Sequence, residues 1–440
     1  MGEELPVLFA TDVLVVGGGP AGMCAAISAA RCGAEVAIVE RWPMLGGQST
    51  MARVCIWHTS DRTREVIHGL TQEFVERLEV YGGIQRRPDF PRRHETYDFN
   101  AEWMIFVYED FVRELGIRVL CNTPCVAVRT EAREIREAVV GTKQGLRAIR
   151  AGRFIDATGD ADLAFFAGCR TYVGRESDGK VQGMTLVSSF TGFDNARLDS
   201  NKPEKEKALE RMRELRDRGG LPQFGGVGLG ESKTMAWHGG LIACTLGDPL
   251  DNEDLTRATR AARAKLPKLI DFFRENVPGC EHMELRWTAP ALGVRESRRV
   301  KGLYEFGASD VEGLSSFRDA IGHGFWMIDI HDPEGSGYTT WNDKSIHLEP
   351  GTTYQIPYRI LVPEDVDNLL VAGRCASATH EGMAALRIQS HCHIMGQAAG
   401  TAAAVSLRTD SRPADVVVDE LQVQLAADGV WIDRDRARSA

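Results

Sequence analysis

Apolar residues near the start of the chain fall in short unbroken runs separated by glycines and small residues. "DVLVV" (12–16) leads into "GGGPAG" (17–22), the small-residue stretch "MCAAISAARCG" (23–33) and a second run, "EVAIVE" (35–40). Four or five consecutive apolar positions read as a strand covered on both faces, and a small-residue helix can lie close on such a sheet. The pattern predicts strand, tight turn, helix, strand. Comparable strands are expected in "IRVLCNTPCVAV" (117–128), "RFIDATG" (153–159) and "NLLVAGR" (368–374).

The intervening stretches have another character. Residues 51–100 are rich in Arg, His and aromatic side chains, and 176–354 carry turns, glycines and the charged segment "NKPEKEKALERMRELRDRGG" (201–220), which reads as a solvated helix. The expected organisation is a discontinuous nucleotide-binding domain (1–50, 101–175 and 355–408), a substrate or cap domain (51–100 and 176–354), and a C-terminal helix and polar tail (409–440).

Composition narrows the partners. The 440 residues are 43% hydrophobic and 26% charged, as in ordinary globular proteins, and the net charge of −10 disfavours nucleic acid and anionic membrane surfaces. Small molecules are the expected partners, with a homo-oligomer left open. The first residues lack a basic segment followed by a cleavable apolar stretch, and no apolar run reaches the ~20 residues of a membrane span, so a cytoplasmic location and no membrane partner are expected. Ten cysteines without a Cys-x-x-Cys pair read as buried thiols rather than disulfides or a zinc site.

Gly17-x-Gly19-x-x-Gly22 follows a strand and opens a helix, and Glu40 closes the next strand. Gly17 permits the turn, Gly19 lets main chain approach a pyrophosphate, Gly22 allows close helix packing, and Pro20 and Ala21 begin the helix; Glu40 can accept hydrogen bonds from ribose hydroxyls. Downstream, "RWPMLGGQST" offers the side-chain-free Gly46 and Gly47 followed by Gln48 and Ser49, Thr158-Gly159-Asp160 can turn tightly after a strand, and "NLLVAGR" ends at Gly373 and Arg374. Three separated stretches converging on one cofactor suit extended FAD better than NAD.

The motifs "FIDATGDADLA", "GVRESRRVKG", "IDIH", "YQIPYRILVPEDVDNLLVAGRCASATHE" and "GQAAGTAAA" together resemble a bacterial group of FAD-dependent oxidoreductases. The resemblance runs from residue 12 to about 405. It implies an α/β fold with a Rossmann-type, glutathione-reductase-like FAD-binding domain and an inserted mixed α+β substrate domain. It also implies that Gly17, Gly19, Gly22, Glu40 and Arg41 hold the ADP half of FAD. Gly46, Gly47, Gln48 and Ser49 would border the ribityl chain and isoalloxazine, and the Val126 main chain would meet adenine. Gly159, Asp160, Gly373 and Arg374 would meet ribityl and phosphates, and main chain around Ala385, Arg387 and Ile388 would lie at the flavin pyrimidine edge.

On the reacting side the candidates are His380 ("SATHEG"), His331 ("IDIHDPEG") and Arg295, the last suited to clamping a substrate carboxylate if strand alternation puts it on a face with Arg299. His58 follows Trp57 as a pocket-lining candidate. It falls several residues beyond the segment that aligns with the covalently flavinylated histidine of related succinate dehydrogenase flavoproteins, so non-covalent FAD is expected. His391 and His393, in "RIQSHCHIMGQAAG" (387–400), lie about 200° apart on a helix, too far around the axis to share a metal. One of the two is expected to face the substrate, and no metal is expected.

The glycines of "GGVGLGE" (225–231) read as a loop rather than a second nucleotide motif, and no redox-active dithiol follows the first glycine motif. The function expected is dehydrogenation of a small organic substrate by hydride transfer to flavin N5, with reoxidation by O2 or another acceptor. The alternatives are an NAD(P)H-using flavin monooxygenase and a non-catalytic flavin-binding protein.

Overall fold

In the computed structural model of the chain, residues 4–87, 96–221, 227–230, 240–334 and 347–433 are described. The first element, β1 (Val7–Val16), ends in the buried run Val13–Val16 and leads through the glycine turn into α1 (Pro20–Arg31) and β2 (Val36–Val39). Side chains such as Val13 and Leu14 are fully buried, each worth roughly 1.5–3 kcal/mol of transfer free energy. Four further strands are β3 (Arg118–Leu120), β4 (Cys125–Glu131), β5 (Glu134–Thr142) and β6 (Gly145–Asp156). With β7 (Leu369–Val371) they form a mixed seven-stranded sheet in the order β3-β2-β1-β6-β5-β4.

Strands β3, β2, β1 and β6 run parallel, and the end of β6 pairs with β7, also parallel, through Phe154–Leu369 and Asp156–Val371. The start of β6 pairs antiparallel with β5, which continues into β4. The run 117–128, expected as one strand, is therefore two. The chain turns between them at Asn122, whose φ of +54° is a left-handed conformation that asparagine tolerates, and at Pro124.

The helix after β7, α2 (His380–Leu386), is followed by α3 (Gln389–Arg408), buried on every side from Gln389 to Ser406. The expected tight packing of "GQAAGTAAA" is present, and its immediate partner is α1. A Cβ on Gly396 would lie 2.1 Å from the Ala21 carbonyl oxygen, and one on Gly400 would lie 2.0 Å from that of Ala25. Only glycine admits this approach.

A second hydrophobic cluster, including Leu186, Ala262, Leu269 and Phe273, is separate from the one around α1 and α3. It lies on an antiparallel sheet containing Met184–Thr191, Gly240–Thr245 and Glu284–Thr288, beside helices Asn252–Ala264 and Leu266–Asn276. The charged segment forms a helix at Lys202–Asp217. Trp57, Phe74 and Phe99, from the stretch grouped by sequence with the substrate domain, share their cluster with α1 and α3. After α3 comes the helix Val418–Ala427, and residues 434–440 of the expected tail lie outside the described residues. No described helix is long and apolar enough to cross a membrane.

Candidate active site

The loops after β1, β2, β6 and β7 meet at the same edge of the sheet. Gly17 N–H donates to the Val39 carbonyl, Ala157 N–H to Val16, and Ala372 N–H to Asp156. Above them lies a cleft of about 450 Å³, closed on the far side by Pro290–Leu292, Val294 and the helix Asn252–Ala264. Ligand clefts of this size commonly form beyond the carboxyl ends of parallel strands.

One end is mostly main chain. Gly17 has φ +99°, and a Cβ there would lie 2.5 Å from the Ala157 carbonyl oxygen. A Cβ on Gly22 would lie 1.8 Å from the Gly17 carbonyl oxygen, so Gly22 sets the packing of α1 and does not line the cleft. Gly19 differs: its Cβ would meet nothing nearer than the Gly47 Cα at 4.0 Å, and it faces the cleft. No side chain caps α1, so its first N–H groups are available to an anion, as at phosphate-binding helix starts. Glu40 Oε2 accepts Gly18 N–H at 2.7 Å and Oε1 accepts Trp42 N–H at 2.9 Å. Burial raises its pKa against these hydrogen bonds, and the carboxylate keeps acceptor capacity toward the cleft. Pro20, Ala21, Arg41, Gly47, Thr158, Gly159 and Gly373 also line it.

Midway, Asp160 accepts from Arg374 at 3.0 Å, Arg41 at 3.2 Å and Ser297 Oγ at 2.8 Å. Burial alone would raise this carboxyl; the guanidiniums of Arg374 and Arg41 outweigh it and hold the group below the usual range.

The other end is built from side chains. Gln48, Met51, Ala52, Arg387, Gln389 and Cys392 line it. The Gln389 amide is fixed: Oε1 accepts from Ser49 Oγ at 2.6 Å and Trp57 Nε1 at 3.3 Å, and Nε2 donates to the Val54 carbonyl. Arg387 Nη2 donates to Asp329 Oδ2 at 3.0 Å and to its carbonyl at 2.9 Å, and His331 Nε2 lies 3.6 Å from Asp329 Oδ1. Burial opposes the charge on Asp329, yet His331 and the guanidiniums of Arg387 and Arg295 hold it far below the carboxylate range. His331 is pushed down to about 4, first by burial and then by the charge of Arg295, so its ring is neutral at pH 7.

Several expected positions stand elsewhere. Gly46 makes a turn with φ +108° rather than a wall, and the Ser49 hydroxyl supports Gln389 from behind. Val126 is 40% exposed on β4, and the wall it was expected to provide comes from Thr123, Pro124 and Cys125. The Ala385 carbonyl is taken by His391 Nδ1 at 3.0 Å, and Ile388 is the N-cap of α3; of the expected 385–388 segment, Arg387 alone lines the cleft.

The histidines divide similarly. His380 is buried with Nδ1 2.9 Å from Glu296 Oε1, and that carboxylate also binds Arg299 and the Gln182 N–H, a structural network away from the cleft wall. Arg295 is not on a strand, so the alternation argument does not apply; its Nη1 donates to the Gly183 carbonyl at 2.6 Å. His58 stacks on Trp326 at 4.1 Å and does not line the cleft. His391 accepts the Phe325 N–H, and His393 pairs with Thr71 Oγ1 at 2.9 Å while its ring meets Trp57 and Phe74 edge-on. The expectation that one of these two faces the substrate is corrected: α3 is enclosed, so both of its opposite faces are core, and Cys392 between them borders the cleft. Its spacing of three from Gln389 puts the two on one face, a signal present in the sequence. Asp329, likewise unremarked, stands two residues before His331 in "IDIH". Among the described residues no three His, Cys, Asp or Glu side chains gather as a metal site.

A glycine turn at a helix start, an acidic residue ending the second strand and an elongated cleft across the sheet edge define a dinucleotide-binding α/β protein. The chain belongs to the FAD dependent oxidoreductase family, whose pattern it matches over residues 12–425. Over 91 residues it is 32% identical to a 3-oxosteroid 1-dehydrogenase of Mycobacterium tuberculosis, a match spanning 18% of this chain and 16% of that protein. Among solved structures, p-nitrophenol 4-monooxygenase PnpA from Pseudomonas putida DLL-E4 is 12% identical with a TM-score of 0.48, covering 98% of this chain and 88% of the other. A geranylgeranyl bacteriochlorophyll reductase-like protein from Thermoplasma acidophilum is 14% identical with a TM-score of 0.47, covering 95% and 83%. The residues present fit FAD, since the open approach at Gly19, the uncapped start of α1 and the inward Glu40 carboxylate offer a diphosphate and a ribose what each requires.

Proposed function

We propose that this FAD-dependent oxidoreductase dehydrogenates a small organic substrate, and that O2 or another carrier removes the electrons. When bound, FAD supplies a hydride acceptor at N5. In this reading the glycine-loop end holds the ADP half, in the glutathione-reductase-like arrangement, and Gln48 and Gln389 position the ring. Substrate lies toward Arg387.

The observation that carries the reading is the Asp329–His331 pair behind Arg387, whose own side chain lines the cleft. A substrate losing a hydride from carbon must also lose a proton from oxygen or nitrogen. In this reading the imidazole of His331, unprotonated at neutral pH, takes that proton, and Asp329 orients it and stabilises the cation formed. The partial likeness to a dehydrogenase points the same way.

The test is anaerobic: the purified flavoprotein is mixed with a panel of alcohols, amines, hydroxy acids and sugars, and flavin absorbance is followed. Bleaching by a substrate alone is the expected result. If no compound bleaches the flavin while NADPH does so and a hydroxylated product then forms in air, the protein is a monooxygenase and the proposal is wrong.

A further inference from the structure

We propose that the Gln389 side-chain amide donates a hydrogen bond to a carbonyl oxygen of the isoalloxazine of bound FAD, and that Trp57, which fixes this amide, is a positioning residue for the flavin's reduction potential. The inference rests on the proposed placement of the ring at this end of the cleft, and not on which compound is dehydrogenated.

A primary amide accepts at one end and donates at the other, and its partners decide which way it is turned. Trp57 Nε1 can only donate, so the Gln389 atom 3.3 Å from it is the oxygen. The Val54 carbonyl can only accept, so the atom beside it is the nitrogen. The Ser49 hydroxyl, which can serve either way, donates to the oxygen at 2.6 Å. A flipped amide would set donor against donor at Trp57 and acceptor against acceptor at Val54. Trp57 is fully buried, and its ring packs against Phe99 at 4.4 Å, His393 at 5.5 Å and Phe74 at 6.2 Å between ring centres, so the group that fixes the amide is itself held.

One group is left over. The oxygen has two lone pairs, and Ser49 and Trp57 occupy both. The nitrogen carries two protons, and the Val54 carbonyl takes one. The second N–H has no acceptor among the described residues, although Gln389 is only 8% exposed and lines the cleft. A buried donor without an acceptor is costly, and a ligand that carries an acceptor removes the cost. The carbonyl oxygens of an isoalloxazine are such acceptors, and reduction adds electron density to them. A fixed donor bonds the electron-rich reduced ring more tightly than the oxidised one, and the low dielectric of an enclosed site strengthens the difference. Gln389 thereby makes the flavin a better electron acceptor.

The experiment measures the reduction potential of the flavin-loaded protein by slow chemical reduction beside a reference dye. Gln389→Met keeps the length of the side chain and removes the donor; its redox equilibrium should move about tenfold toward oxidised flavin, a potential lower by about 30 mV for a two-electron couple. Trp57→Phe keeps an aromatic ring in the cluster and deletes the N–H, so the amide loosens and a shift in the same direction of about threefold should follow. Phe99→Leu removes packing from Trp57 but no hydrogen bond from Gln389, and should lower the melting temperature while leaving the potential at the parental value. An unchanged or raised potential in Gln389→Met overturns the proposal, and so does an equal shift in Phe99→Leu, which would trace the effect to packing. An unchanged Trp57→Phe beside a shifted Gln389→Met overturns the part assigned to Trp57. Should Gln389→Met hold no flavin, Trp57→Phe decides, and an unchanged potential there overturns the whole. The two readings fail separately. A lowered potential without bleaching by any substrate sinks only the dehydrogenase, and bleaching with the potential unmoved sinks only the role of Gln389.

Discussion

At the glycine-loop end of the cleft the wall is mainly main chain, and its shape follows from positions where a side chain is sterically excluded or would project into the cleft. At the Arg387 end the wall includes the side chains of Arg387 and Gln389, held by Asp329 and by Ser49 and Trp57, partners remote in sequence. The first end is a local consequence of β1, α1 and β2. The second exists only once the whole chain has folded. The same difference orders what mutations should do.

The largest effect is expected where the two ends share a foundation, the contact of α1 with α3. Gly396→Val puts branched carbon against the Ala21 carbonyl, where even a Cβ would be 2.1 Å away. Because both helices are enclosed and cannot retreat, the cost is about 3 kcal/mol or more. Soluble yield and thermal melting measure it. A variant as stable as the parent would show that the helices can separate without loss.

Gly19→Val should separate folding from cofactor binding. Its Cβ meets no protein atom nearer than 4.0 Å but projects into the cleft, so the protein should melt near the parental temperature and lose most of its flavin. We expect the flavin-to-protein ratio to fall by about tenfold, as for an obstructed phosphate approach. A yellow, fully loaded Gly19→Val protein would remove the ADP half from this end.

Next comes the paired comparison of His331→Asn and His380→Asn. Loss of the group proposed to take the proton should slow anaerobic flavin reduction by about 10²-fold, the usual scale of general-base catalysis. His380→Asn disturbs the buried Glu296 network instead, and should cost about 1–3 kcal/mol of stability with a far smaller effect on the rate. Reversal of these outcomes in stopped-flow reduction would exchange the two roles.

How much of this was legible follows from the same division. The strand–glycine–helix–strand opening could be read because four apolar positions, three glycines and Glu40 lie within thirty residues and constrain one another. Asp156 also ends a strand where the run "RFIDATG" placed it, and the strand of "NLLVAGR" ends at Val371, two residues before the expected Gly373. The reacting end was less legible. His380 stands in a motif that resembles the family's, yet its partner is Glu296, and no spacing in the sequence reveals that pairing. His391 and His393 were placed correctly on opposite faces of a helix, but that geometry says nothing about what covers each face. Because α3 is buried all round, both rings became core. Arg387, read for its main chain, contributes its side chain, since the carboxylate that turns it is drawn from the distant "IDIH" segment.

The smallest expected effect tests the burial of His393 directly. Burial pushes its pKa down to about 3 from an ordinary 6.5, so below pH 6.5 the unfolded chain takes up a proton that the folded protein refuses. Its contribution to stability is complete above pH 6.5 and is lost as pH falls from there toward 3. Between pH 7 and 5.5 the loss from this one group is about 1 kcal/mol. His393→Gln removes the titration, so its denaturant-derived stability should fall by about 1 kcal/mol less than the parent's over that interval, whatever its stability at pH 7. Equal losses in parent and variant would mean that His393 can be protonated in the folded protein. The ring would then have access to water, and one face of α3 would open toward the cleft after all.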